Sequence, residues 1–166
     1  MTLYYIAMEF ELHDVKFNYE NGNIYRLYEY KKGYEWKELK KELTKDGYNR
    51  FIFGVNYKYY RFSLHRIVYW LHNRDWDIFN SSTDNSIDHI DGDKLNNNIE
   101  NLRVVTCQEN NFNMTRAKGY TWDKNRNKWK ASIKLNRKSI NLGHFDNEID
   151  AHNAYLEAKK KYHIIR

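Results

Sequence analysis

The stretch from residue 87 to residue 113 constrains the fold more than any other part of this 166-residue chain. Its residues predict a short apolar strand, an aspartate-glycine turn, an asparagine-rich loop and a second short strand. A helix then begins at Thr106, whose hydroxyl group and Glu109 fit the capping-box pattern. The stretch therefore predicts a strand, a loop, a strand and a helix in close succession.

The segment before this stretch predicts a small, mostly antiparallel β region over residues 1–62. Bursts of alternating aromatic and polar residues are typical of half-buried strands, and Asn21-Gly22 is a hairpin turn signal. Residues 36–43 could form either a short helix or an edge segment. Apolar residues at helical spacing predict a helix over residues 63–72, which Ser63 can cap.

The segment after the stretch predicts a three-stranded sheet packed on one helix. Strands are expected at 120–122, 129–135 and 139–142, and a helix at 147–162 carries its small apolar residues on one face. Alternation along the second strand gives one apolar face and one polar face, and a sheet of this size buries only one of them. The expected fold class is α+β, with a domain boundary near residues 114–118.

Charge is unevenly distributed along the chain. The net charge is +6, and residues 115–166 hold 13 of the 28 lysines and arginines but 5 of the 22 acidic residues. A positive field in a segment rich in tryptophan, isoleucine and leucine favours a nucleic-acid partner over a merely soluble basic tail.

Composition excludes several classes of protein. No apolar run is long enough to cross a membrane, and the first residues lack the basic start of a signal peptide. The single cysteine, Cys107, excludes an intramolecular disulfide and a cysteine-based zinc cage, and it favours a reducing compartment. The absence of proline and the heavy use of Asn, Lys, Tyr and Ile fit an AT-rich phage, virus or mobile element. We therefore expect a cytoplasmic location, or the host-cell interior for a phage or viral protein.

Asp88, His89 and Asn110 together suit the hydrolysis of a phosphodiester bond. A carboxylate and an amide oxygen are ligands for a hard divalent cation, and a histidine side chain can take a proton from water near neutral pH. Adjacent strand residues point to opposite faces, so Asp88 and His89 need a bend at the strand end to share a site.

Residues 65–110 resemble the HNH nuclease family, in its homing-endonuclease branch from phages and mobile introns. The resemblance is carried by HRIV at residues 65–68 and DHIDGDKLNNNIENLRVVT at residues 88–106, followed by Asn110. It implies a ββα-metal core at 63–114, with His89 as the general base and Asn101 as the residue that ties the loop. It also implies one Mg²⁺ or Mn²⁺ ion on Asp88 and Asn110. The family more often has histidine at the last of these positions.

Residues 119–163 resemble a second family, the Apetala/ethylene-response-factor DNA-binding domain. Gly119, Trp122, the WKASI run at 129–133 and the LGHF run at 142–145 carry the resemblance, together with the alanine-rich helix face. It implies that the open sheet face of a domain at 118–164 lies in the major groove of double-stranded DNA. The positions that match the family's DNA contacts are Lys118, Thr121, Ser132, Lys134, Ser139 and Asn141. Lys130 and Lys134 are expected to anchor phosphate.

Several residues keep two interpretations at this point. Arg103 either touches a backbone phosphate or is a rim charge, and Trp122 either packs in the core or contacts DNA. Asp91 and Asp93 are turn formers or metal ligands, and residues 96–98 are a solvated loop or contact phosphate. His65 stabilises the fold or takes part in the chemistry.

The leading hypothesis is a metal-dependent, sequence-directed DNA endonuclease that nicks one strand per binding event, with no structural zinc and no small-molecule cofactor. We expect a monomer, although a dimer would explain a double-strand break. The alternatives are a non-catalytic DNA-binding regulator on the same scaffold and a non-specific or structure-selective nuclease.

Overall fold

The computed structural model describes residues 7–113 and 117–164, and these form two compact units. The first unit comprises the described residues up to Ser81 together with His89–Arg103, and the second comprises Ser82–Asp88 and the described residues from Val104 onward. The boundary expected at 114–118 falls partly on residues 114–116, which lie outside the described residues. The three-part division at 1–62, 63–114 and 118–164 stays a prediction. In the described part of the chain, no helix has both the length and the apolar character that crossing a membrane requires.

The first unit begins with a four-stranded antiparallel sheet in the order β1-β2-β3-β4. Its strands are β1 (Met8–Leu12), β2 (Val15–Glu20), β3 (Asn23–Tyr30) and β4 (Gly33–Glu38). The turn between β1 and β2 places His13 and Asp14 at positive φ, which matches the primed turns that suit hairpin twist. The small antiparallel β region predicted from the sequence is present.

A second antiparallel sheet, in the order β5-β6-β7, follows. It consists of β5 (Lys41–Leu43), β6 (Asn49–Val55) and β7 (Lys58–Ser63), and it leads directly into helix α1 (Leu64–His72). Residues 36–43 therefore contribute to two strands. The short helix that was one of the two predictions for them is wrong, because β4 pairs with β3 as a hairpin. Ser63 occupies the predicted cap position, but its side chain makes no capping hydrogen bond.

Aromatic rings form the core of the first unit. Phe17 is 1% exposed and lies 4.7 Å from the Phe53 ring and 5.3 Å from the Phe10 ring, measured between centroids. Phe10 also meets Trp70 of α1 edge to face at 5.9 Å. Both sheets and α1 therefore share one apolar core, and α1 is held in place beside them.

The stretch that dominates the sequence forms the predicted elements. Strands β8 (Ser86–His89) and β9 (Leu102–Val105) make a two-stranded sheet, with a short 3-10 helix at Ile99–Asn101 between them. Helix α2 (Cys107–Phe112) follows. Its capping box is complete, because Glu109 N–H donates to Thr106 Oγ1 at 3.1 Å and Thr106 N–H donates to Glu109 Oε2 at 2.9 Å.

The C-terminal part is a three-stranded antiparallel sheet packed on a helix, as predicted. Strands β10 (Tyr120–Asp123), β11 (Lys128–Leu135) and β12 (Lys138–Phe145) precede helix α3 (Glu148–Tyr162). Ile133, Tyr155 and Ala158 form the buried cluster between sheet and helix. The described part of the chain is therefore α+β, which confirms the expected fold class.

Gly119 permits the close approach of the chain to this cluster. Its φ is +75°, and a Cβ built on it would lie 1.9 Å from Cγ of Tyr155, which is 5% exposed. A side chain at this position would meet both a strained backbone and a buried ring.

We predict that Gly119→Ala lowers the free energy of unfolding by about 2–4 kcal/mol, combining backbone strain with displacement of the ring. Gly22→Ala is the control, since Gly22 has φ +78° and nothing within 4 Å of the added Cβ. Urea unfolding measures both variants, and equal losses would contradict the close contact with Tyr155.

Candidate functional site

Two neighbouring polar residues, Asp88 and His89, are buried at the end of β8. The two residues are 5% and 3% exposed. The Asp88 carboxylate contacts the end of α2, whereas the His89 ring faces residues of the first unit. They contact different elements although they are adjacent in the chain, and β8 ends at His89.

His89 is enclosed by a hydrogen bond and two aromatic rings. Its Nε2 lies 3.1 Å from Oδ1 of Asn97. The His65 ring meets it edge to face at 5.2 Å, and the Tyr48 ring lies 5.9 Å away, measured between centroids. Lys94 Nζ lies 4.5 Å from the centre of the Tyr48 ring. The imidazole is therefore in contact with two rings and with an amide at Nε2.

The loop after His89 is held by side-chain hydrogen bonds centred on Asp91. Asn101 Nδ2 donates to Asp91 Oδ1 at 2.9 Å and to the Asn96 carbonyl at 2.8 Å, and Asn96 Nδ2 donates to Asp91 Oδ2 at 2.7 Å. The amides of Asn96 and Asn101 and the backbone N–H of Asp93 hold the pKa of the Asp91 carboxyl below its ordinary value. Asp91 and Asp93 each accept a backbone hydrogen bond from the residue two positions later, as turn formers do, and Asn101 closes the loop.

His65 is a buried neutral histidine beside His89. Burial, with smaller contributions from His89 and Arg66, lowers the pKa of His65 to about 3. Among the described residues, none is hydrogen-bonded to its buried Nδ1. His65 therefore carries no charge at neutral pH and adds no electrostatic repulsion against a proton on His89.

The amide hydrogen-bonded to Asp88 belongs to Asn113. Asn113 Nδ2 donates to both carboxylate oxygens, at 3.1 and 3.2 Å. Asn110 lies three residues earlier, on α2, and residues at this spacing share a helix face with Cβ atoms roughly 5–6 Å apart. The structure thus shows Asn113, which the sequence analysis missed, in contact with the carboxylate, while the role predicted for Asn110 stays a prediction. The i, i+3 spacing was the signal that could have found it.

Strand register places most of the predicted DNA-contact residues on one face of the C-terminal sheet. Cross-strand partners share a face, and the pairs are Thr121 with Lys130, Ser132 with Asn141, and Lys134 with Ser139. All except the half-buried Ser132 are exposed. Helix α3 packs on the opposite face, where Ala131 and Ile133 are buried.

The remaining candidates lie elsewhere. Lys118 is exposed before β10, and its carbonyl oxygen lies 3.2 Å from Nδ1 of His152. Arg103 is half-buried in β9. Trp122 pairs with Trp129 across the strands, so it lies on the helix side of the sheet, where it remains 41% exposed. The register therefore favours packing over DNA contact for Trp122.

Comparison with protein families identifies the central part of the chain. Residues 63–112 match the family model described as HNH endonuclease. This range contains Asp88, His89, Asn101 and Asn110, as well as α1 and α2. The chain therefore contains an HNH endonuclease domain, as its motif predicted. The resemblance of residues 119–163 to the Apetala/ethylene-response-factor domain stays a prediction.

Two viral proteins are similar to the chain. Protein 3.8 of Escherichia phage T7 is 36% identical over 63 residues, which is 34% of this chain and 52% of the phage protein. An HNH endonuclease of Acanthamoeba polyphaga mimivirus, described as uncharacterised, is 35% identical over 98 residues, covering 57% of this chain and 46% of that protein. The chain thus spans about half the length of each relative.

One solved structure is also similar to the chain. It is that of the HNH homing endonuclease I-HmuI and is described as showing DNA binding and cleavage. It is 34% identical in sequence, with a TM-score of 0.41, and the match covers 58% of this chain and 50% of that chain.

We predict that His65 makes stability fall as pH decreases. Its pKa is lowered in the folded state, so its contribution to stability is complete above about pH 6.5 and is lost as pH falls toward 3. Between pH 7.5 and pH 5 this loss amounts to about 2 kcal/mol. Urea unfolding at the two pH values should show this loss of about 2 kcal/mol in the wild type. In His65→Phe, which keeps a ring, the free energy of unfolding should fall by about 2 kcal/mol less over the same pH range. Equal pH dependence in both proteins would contradict burial of a neutral His65.

Proposed function

We propose that this protein is a metal-dependent DNA endonuclease of the homing type, which hydrolyses phosphodiester bonds and nicks one strand per binding event. The observation that carries the proposal is the buried pair Asp88-His89 at the end of β8, within residues that match the HNH endonuclease family. Burial of both side chains is unusual unless each has a partner or a function.

His89 is the general base in this proposal. A base must be held within hydrogen-bond reach of the proton it takes, and the enclosure of the ring by Asn97, His65 and Tyr48 limits its motion. Asn101 acts on the ring through the loop, because it ties Asp91 to the Asn96 backbone. Histidine suits the task because its side chain exchanges a proton near neutral pH.

Asp88 and Asn110 are the proposed ligands of one Mg²⁺ or Mn²⁺ ion. In the described residues, no group of three or more His, Cys, Asp or Glu side chains is placed to hold a metal. The groups available at the end of α2 are one carboxylate and neighbouring amides, which supply oxygen ligands. Such a set suits Mg²⁺, which keeps several waters and takes few protein ligands, better than it suits zinc.

Asn113 has a supporting role at the same place. Its amide holds both oxygens of Asp88, so the carboxylate is oriented before a cation arrives. When bound, a divalent cation stabilises the charge on the phosphate and on the departing oxygen.

The proposed site has one general base, which accounts for cleavage of a single strand in each binding event. Cleavage of both strands requires a second copy of the chain or a second visit to the site. The match of residues 63–112 to the HNH endonuclease family and the basic charge of residues 115–166 support DNA as the substrate.

The polar face of the C-terminal sheet is the proposed DNA-binding surface. It carries Lys130 and Lys134 on one strand, with exposed hydroxyl and amide groups on its neighbours. Lysines bind phosphate as point charges and fix the position of the duplex, whereas the short polar side chains can reach base edges. Lys118 and Arg103 are proposed as additional phosphate contacts.

Plasmid relaxation tests the nuclease proposal. The wild type should convert supercoiled DNA to nicked circles with Mg²⁺, and a chelator should abolish the reaction. His89→Ala should nick about 10²–10⁴-fold more slowly because the base is lost, while its DNA affinity stays within about twofold. Asp88→Asn should also lose activity.

His72→Ala is the matched control, since His72 is an exposed histidine at the end of α1 and should keep full activity. Binding without nicking by the wild type would favour the non-catalytic DNA-binding regulator. Nicking at the wild-type rate by His89→Ala would contradict the proposed role of His89 as the general base.

Salt dependence tests the proposed DNA-binding surface. The double variant Lys130→Ala/Lys134→Ala should bind a labelled duplex more weakly, and the slope of log affinity against log salt should become shallower by about 2, since each phosphate contact contributes roughly 0.9. Fluorescence anisotropy over a salt series measures the slope. Lys160→Ala, on the exposed side of α3, is the control and should change the slope little. Equal changes of the salt slope in the double variant and in Lys160→Ala would contradict the proposal that the sheet face binds DNA.

A further inference from the structure

The four-stranded sheet of the first unit has one face in the core and an opposite face that the proposed nuclease site does not use. Phe17 lies on the core face and is buried. The next residue, Asn18, points to the opposite face, and cross-strand partners share a face. The row of partners that crosses all four strands on this side is Glu9, Asn18, Tyr25 and Glu38. We call this side of the sheet the outer face.

Two large aromatic side chains of β4 are exposed on the outer face. Tyr34 is 69% exposed and Trp36 is 38% exposed. Their cross-strand partners on β3 are Glu29 and Leu27, and the hydroxyl oxygen of Tyr34 lies 3.5 Å from Oε1 of Glu29. Tyrosine and tryptophan are enriched at protein interfaces, where they supply much of the binding energy. The two rings therefore mark a candidate protein-binding surface.

Strand β4 also lies at the edge of its sheet. In the part of the chain that the structure describes, β3 is the only strand that pairs with it, and all six of its residues are exposed. An edge strand offers backbone N–H and carbonyl groups to an added strand. Such an addition gains affinity from main-chain hydrogen bonds and specificity from the side chains of alternate residues.

Charge determines which kind of segment fits this surface. The charged residues that strand register places on the outer face are Glu9, Glu11, Glu20, Glu29, Glu38 and Lys16. Five glutamates and one lysine give a net charge of −4, in a chain whose net charge is +6. The outer face therefore repels the phosphates of DNA and attracts lysine and arginine. A second copy that added through its own β4 would bring two acidic outer faces side by side, which is unfavourable.

We propose that the outer face and the exposed edge of β4 bind an extended segment of another protein, in which lysine or arginine alternates with uncharged residues. The segment adds to β4 as a fifth strand, and its basic side chains contact the rings of Tyr34 and Trp36 and the carboxylate of Glu38. On the other face of β4, Glu35 and Lys37 form an ion pair at 3.3 Å and together carry no net charge. The remaining side chains of the segment, which point to that face, are therefore uncharged. This binding does not depend on the proposed nuclease function.

Fluorescence anisotropy with the full-length protein tests the proposal. The probe is a labelled peptide of about twelve residues in which lysine alternates with threonine, which is long enough to cover a strand. A peptide of the same composition with all its lysines consecutive is the comparison, because half of its lysines in a fifth strand would point away from the outer face. The alternating peptide should bind about fivefold more tightly, and its affinity should fall as salt rises.

Variants of β3 and β4 locate the binding surface. Trp36→Ala should weaken peptide binding about tenfold, as loss of an interface aromatic predicts, while its nicking rate and its affinity for duplex DNA stay unchanged. Glu29→Gln/Glu38→Gln should weaken peptide binding about fivefold. Glu35→Gln/Glu157→Gln is the matched control, since it removes two exposed glutamates that lie off the outer face. This control should change the affinity less than about twofold.

Three results would overturn the proposal. Equal weakening of peptide binding in the two double variants would show attraction by net charge alone. Weaker duplex binding by Trp36→Ala would show that the outer face binds DNA. A dimer of the wild type that Trp36→Ala abolishes, measured by light scattering, would identify a second copy as the occupant. Urea unfolding shows whether Trp36→Ala is folded, and the glutamine variants carry the test if it is not.

Discussion

Burial of a carboxylate and an imidazole side by side at the end of β8 is the constraint on which the rest of the domain depends. Removing a charged or strongly polar group from water is costly unless hydrogen bonds replace the lost hydration. Asp88 receives both amide hydrogen bonds of Asn113, and His89 is paired with Asn97. The loop and α2 have to be placed where these amides can reach, which explains why both are rich in asparagine.

The loop achieves its shape with side chains because it has little regular backbone structure. Asp91 accepts hydrogen bonds from two asparagine side chains and from a backbone N–H, and it does so better as a carboxylate than in its protonated form. The same bonds set the position of Asn97, whose Oδ1 lies 3.1 Å from Nε2 of His89. Loop stability and the chemistry proposed for His89 are therefore properties of one hydrogen-bond network.

Much of the fold followed from local sequence signals. The capping box of Thr106 and Glu109, the strand at Leu102–Val105 and the alternation along β11 were all predicted, because each depends on residues close together in the chain. The candidate site was predicted less completely. Residues 96–98 are three consecutive asparagines, and no periodicity distinguishes Asn97 from the other two. The contact of Asn113 with Asp88 depends on where α2 ends.

Tertiary register decided the cases that the sequence left open. Residues 36–43 carried no signal that separates an edge strand from a short helix, and pairing with β3 resolved it. Trp122 had two interpretations until its pairing with Trp129 fixed the face on which it lies. Local residue patterns contain no information about a partner strand that is distant in sequence.

A crystal structure of the protein with duplex DNA and Mn²⁺ would test the central claim most directly, through the anomalous signal of the ion. The account predicts one peak at a coordination distance of about 2.1 Å from oxygens of Asp88 and Asn110 and of the scissile phosphate, with the ring of His89 facing the same phosphate. An ion bound away from Asp88, or DNA bound with Asp88 and His89 far from any phosphate, would contradict the account.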